Sequence, residues 1–207
     1  MGYGLRHPTR PVPTGAFMVH KAVQLLARGS AAIGGLILVA LIILTTLSIV
    51  GRTISKTMHA DWAKTWLGVF AQWVIDTGID EINGTYELTE AGVAFAIFAF
   101  LPICQLYGAH ATVDVFTSAL PSRVVRGIRA FWELVLAAVI ILITAQLYQG
   151  MLRYLNNGET TLFLQFPVWW AYAASVAAAI IACLTAVYCA FGRVIESATG
   201  RAVLPTS

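Results

Sequence analysis

The chain has 207 residues, of which 58% are hydrophobic and 11% charged, with a mean hydropathy of +0.77. That composition excludes an ordinary soluble domain, in which about a quarter of residues are charged. The net charge of +3 is not gathered into a basic surface, so nucleic acid is not an expected partner.

In chain order, residues 1–28 form a basic tail with a short amphipathic stretch, Phe17 to Ala27, that either lies on the membrane surface or extends the first span. A first span is predicted over 29–51, where 23 uncharged residues lie between Arg28 and Arg52. A spanning helix needs about 20 apolar residues. A cleaved signal peptide is not expected here, because the apolar core is too long and the preceding tail too extended.

The loop over 52–86 contains Asp61 as a helix cap, followed by an amphipathic helix over 62–76. Trp62, Trp66, Val69, Phe70 and Trp73 share one face of it. That face suits either the lipid headgroup region or a protein partner. A second span follows over 87–109, with Ala91 to Ala109 uncharged and Pro102 late in it. Residues 110–129 form a basic loop, and a third span covers 130–152 around the uncharged run Leu134 to Leu152. After a short loop over 153–166, Pro167 opens a fourth span over 167–192, and a tail over 193–207 ends the chain. Helices are expected throughout, since open strands leave backbone groups unpaired in lipid and no barrel-like alternation is present. The predicted class is an all-α membrane protein with four transmembrane helices and one interfacial amphipathic helix.

Lys and Arg set the orientation. The tails and the second loop hold Arg6, Arg10, Lys21, Arg28, Arg123, Arg126, Arg129, Arg193 and Arg201, whereas the first and third loops hold only Arg52, Lys56, Lys64 and Arg153. Both termini are therefore expected in the cytoplasm, and in a bacterium the first and third loops face the periplasm.

No span carries an ionisable residue at its middle, where ion-coupled carriers place them. Glu90, His110, Glu133 and Arg153 stand at span ends. The deeper polar groups, including Thr45, Thr46, Ser48, Gln105, Thr144, Gln146, Ser175 and Thr185, are expected mostly to bond back to their own helices. His7, His20, His59 and His110 do not supply haem ligands from two facing helices. Cys104, Cys183 and Cys189 lack disulfide or zinc spacing and are expected to be packing residues. No cofactor, metal or catalytic motif is predicted. Ala174, Ala178, Ala182, Ala186 and Ala190 make a small-residue ridge along the fourth span, and Ser30, Ala31, Gly34 and Gly35 a shorter one on the first. Such surfaces let membrane helices approach closely, within this chain or against a partner.

The stretch Tyr86-Glu-Leu-Thr-Glu-Ala-Gly-Val-Ala-Phe-Ala-Ile-Phe, followed by Leu101-Pro-Ile-Cys-Gln-Leu and Gly108-Ala-His-Ala-Thr-Val-Asp, resembles the small, DctQ-like permease subunit of tripartite ATP-independent periplasmic (TRAP) transporters. Glu87 with Glu90 matches the acidic pair that opens the family's second span. Gly108, His110, Val113 and Asp114 match the segment after it, while Arg52 and Pro167 with Trp170 and Tyr172 also fit. The extended first loop departs from the shortest members. The resemblance implies an accessory subunit, not an enzyme, working with a large transmembrane subunit that carries solute and sodium and with a periplasmic solute-binding protein. The solutes it implies are small organic anions.

The residues themselves leave some roles open. Glu87 and Glu90 either complement the helix dipole or contact a partner. His110 and Asp114 either end a helix or fix the cytoplasmic loop to a partner. A second reading of the whole chain is a membrane anchor for a redox enzyme.

Overall fold

A computed structural model describes residues 14–76, 82–107 and 121–199. Five helices account for nearly all of them: α1 (Thr14–His59), α2 (Asp61–Asp76), α3 (Thr85–Leu106), α4 (Ser122–Asn157) and α5 (Val168–Thr199). Four are long and apolar enough to cross a membrane: Met18–His59, Thr85–Leu106, Val124–Asn157 and Val168–Ser197. No strand occurs among the described residues. The protein is all-α, with the four spanning helices expected from the uncharged runs.

The helices outrun those runs. At 1.5 Å per residue, α3 measures about 33 Å, close to the hydrocarbon thickness, whereas α1 with its 46 residues reaches about 69 Å. The amphipathic stretch from Phe17 is thus not a separate surface helix. It continues into the first span without a break, and the same helix runs past Arg52 to His59. Packing holds the extension in place. Ala27 is buried with Leu106 and Cys189, flanked by Val23, Ile103 and Tyr188. Gln24 Nε2 and Arg28 Nη2 donate to Tyr107 Oη at 3.0 and 2.9 Å, and His20 Nδ1 lies 3.2 Å from Tyr188 Oη.

The spanning helices are ordered as a row, α1–α3–α5–α4. α3 packs against both α1 and α5, α4 packs against α5, α1 also touches α5, and α2 rests on α1. Among the described residues, α3 and α4 do not pack side by side. α5 is the centre of the row: half of its apolar window is buried, against 17% for each of the others. The small residues explain these neighbours. Ala182, Ala186 and Ala190 form one core cluster with Ala137 and Ile140 of α4. On the other flank, Gly34 presents bare backbone to α3, where an added Cβ would stand 2.9 Å from Ala99 Cβ. Ser30, one turn earlier, is buried and donates to Ala27 O.

The polar residues inside the spans mostly serve their own helices. Thr45, Thr46, Thr144 and Thr185 donate to the carbonyls of Leu41, Ile42, Ile140 and Ile181, at 2.6 to 2.9 Å. Two reach beyond their own helix. Ser48 Oγ accepts the Ile82 N–H at 3.2 Å, and Gln105, almost fully buried, donates to Glu133 on α4.

Candidate partner-interface sites

The chain has two ends, one where α1 begins and α5 finishes, here called proximal, and the opposite, distal one. The distal end holds the acidic pair. Glu87 lies in the first turn of α3, where its charge complements the helix dipole. Its main contacts are elsewhere in the chain. Glu87 Oε1 accepts the Phe163 N–H at 2.8 Å and Oε2 accepts the Leu164 N–H at 3.1 Å, so one carboxylate holds the connection between α4 and α5 by two backbone donors.

That connection is built to be held. α4 ends on Gly158 in the left-handed region (φ 65°), whose N–H returns to Tyr154 O. Thr160 and Pro167 then pair as an isolated bridge, with Thr161 N–H donating to Phe166 O and Val168 N–H to Glu159 O. Pro167 closes this turn immediately before α5. Leu164 folds back over Gly84, itself left-handed (φ 83°), where a side chain would collide with the Leu164 isobutyl group. The tip leaves Leu162 81% and Phe163 62% exposed.

Below the tip lies a cavity of about 560 Å³, formed where α3 and α4 stand apart over α5. Glu87, Glu90 and Glu159 line it together with Tyr154, Tyr172 and Ser175. Tyr154 and Tyr172 face each other with ring centroids 4.9 Å apart.

At the proximal end, the Gln105–Glu133 contact links α3 to α4, and Cys189 Sγ on α5 approaches Gln105 O at 3.8 Å. One helical turn on, Arg193 Nη1 pairs with Glu196 Oε2 at 2.9 Å.

The other sequence-derived candidates are placed as follows. Arg52 is exposed on the continuation of α1. His110 and Asp114 lie outside the described residues. Ala178, Ala182, Ala186 and Ala190 are buried inside this chain, leaving only Ala174 of the ridge exposed. Trp73 is 61% exposed and stacks with Phe70, beside an 88% exposed Val69, so α2 turns an apolar face outward while Val74 rests inward. The side chains of Trp62 and Trp66 lie outside the described residues. α2 is broken at Gly68 (φ 41°, ψ −108°), which the continuous wheel of 62–76 did not foresee.

His20 and His59 sit near opposite ends of α1, so they do not converge on a common haem. Sequence reasoning missed the Phe163–Leu164 donors and the Tyr107 contacts. Backbone N–H groups carry no residue signature, and Tyr107 reads simply as an interfacial aromatic.

The family model described as "Tripartite ATP-independent periplasmic transporters, DctQ component" matches residues 65–196. The match spans α3, α4, nearly all of α5 and most of α2. No curated protein and no solved structure matches the chain. More than half of the chain is covered by the family match, and the chain belongs to the DctQ family: it is a TRAP transporter small permease subunit, a transporter component and not an enzyme.

Proposed function

We propose that this chain is the accessory, scaffold subunit of a sodium-coupled, binding-protein-dependent importer of a small organic anion, and that it has no substrate site of its own. Its partners are a large transmembrane subunit and a periplasmic solute-binding protein, with lipid around α1 and α4. It resides in a bacterial inner membrane with both termini cytoplasmic.

The observation that carries this reading is the placement of charge. Glu87, Glu90, Glu133 and Arg153 all stand towards helix ends, and the midplane stretches of the four spans are without ionisable groups. Proton relays and many ion-coupled steps place such groups at depth. The distal cavity adds support, because three carboxylates line it and repel an organic anion. Orientation is supported by nine basic residues on the tails and second loop against four elsewhere. The Glu87-held tip and the outward face of α2 then lie on the periplasmic side, the former available to a partner and the latter at the lipid headgroups. Ala174, Arg52, His110 and Asp114 remain candidate partner contacts in this scheme.

Extraction of the native membrane in mild detergent tests the partnership. The reading expects co-purification with a large polytopic permease in fixed ratio. Isolation as a lone chain, under conditions that preserve other membrane complexes, overturns it.

A further inference from the structure

The distal groove holds a carboxylate, Glu90, that forms no ion pair among the described residues. Glu90 lies about 7.5 Å along α3 from the helix start, within a segment apolar enough to cross a membrane. It makes no hydrogen bond or ion pair among the described residues. Arg153, at the distal end of α4, and Glu90 both act electrostatically on the Tyr172 hydroxyl, yet no ion pair joins them. A carboxylate inside the end of an apolar span still favours a partner.

One hydroxyl repeats the pattern. Ser175, only 2% exposed, forms part of the groove wall, and its hydroxyl has no hydrogen-bond partner among the described residues. Thr161, also on the lining, turns its hydroxyl to the Glu87 carboxylate. The groove therefore offers three carboxylates, of which Glu90 has no partner among the described residues, and the Ser175 hydroxyl, a set that suits a cationic hydrogen-bond donor.

The architecture gives the direction of approach. α5 forms the floor, the 159–167 connection caps the distal end, and α3 and α4 do not close on each other. The remaining opening is lateral, in the plane of the membrane. A lipid ammonium stays at headgroup level, above the cap. A long basic side chain on a membrane helix can be presented below it, with its apolar stem along Ala91 and Ala94.

We propose that this groove seats a Lys or Arg side chain from a membrane helix of the large subunit, with Glu90 as its counter-ion. The inference rests on the accessory-subunit reading and adds where and by what chemistry the two chains meet.

The test uses the co-expressed complex with a photo-crosslinking benzophenone residue in place of Leu162, an exposed rim position. The expected adduct is to a large-subunit peptide containing Lys or Arg. Its yield should fall about tenfold in Glu90→Gln and Glu90→Lys and be retained in Glu90→Asp, while helix content is unchanged. An adduct only to phospholipid, or a protein adduct indifferent to all three substitutions, overturns the proposal. Because co-purification is scored in the same preparation, a complex that holds together without this adduct sinks the groove assignment alone. A chain that never co-purifies sinks the subunit reading as well.

Discussion

The Glu87 carboxylate accepts the backbone N–H of Leu164, 77 residues further along the chain, so the first turn of α3 fixes the connection between α4 and α5. With the neighbouring Phe163 N–H on its other oxygen, this side chain ties α3 to the α4–α5 connection at the distal end, where α3 and α4 do not pack side by side.

Glu87→Ala therefore releases the tip. Limited proteolysis should cut within 159–167 several-fold faster than in the parent. Glu87→Gln, which keeps one acceptor, should lie between the two. Unchanged cleavage in Glu87→Ala would show that the tip is held by its own bridge alone.

Gly34 and Gly35 separate close approach from mere flexibility. A Cβ at Gly34 meets Ala99 at 2.9 Å, whereas at Gly35 the nearest atom, Phe100 Cζ, is at 3.9 Å. Gly34→Leu should destabilise by about 1–3 kcal/mol through overpacking. Gly35→Ala should be neutral or slightly stabilising, since Gly in a helix costs about 1 kcal/mol relative to Ala. Thermal unfolding in detergent, followed by helical signal, reads both.

The alanine ridge makes a parallel pair. Ala182 is 1% exposed against α4, and Ala174 faces outward. Ala182→Leu should lower thermal stability by about 1–3 kcal/mol, and Ala174→Leu should leave the isolated chain unaffected. Loss of the large subunit in Ala174→Leu alone would mark that end of the ridge as intermolecular.

Gln105 and Glu133 test the proximal link. Gln105→Leu leaves a half-buried carboxylate short of a donor and should cost about 1–3 kcal/mol. Combining it with Glu133→Leu should recover part of that loss, because removing both partners avoids leaving a carboxylate short of a donor. Additive losses measured in the double variant would contradict a direct coupling.

These pairs mark what the sequence made legible. The spans could be read from uncharged length, and the ridge of Ala174 to Ala190 from its four-residue period, because hydrophobicity and side-chain size repeat along a helix. Which helix the ridge faced could not be read, since Ala137 on α4 carries no mark distinguishing it from a residue of another chain. The role of Glu87 was half visible. Its place in a first helical turn follows from position, but its partners are backbone amides of Phe163 and Leu164, indifferent to residue type. The break at Gly68 was hidden because one glycine in a helical pattern does not announce its φ. The groove arises where α3 and α4 do not pack side by side, a property of tertiary arrangement that no local pattern encodes.

The central claim is that this chain supports transport without carrying it. Proteoliposomes holding this chain alone, the large subunit alone, or both, with the binding protein and labelled solute outside and an inward sodium gradient, test it most directly. The account predicts no uptake above empty vesicles for this chain alone and sodium-dependent uptake when both are present. Saturable, sodium-driven uptake by vesicles containing only this chain would contradict it.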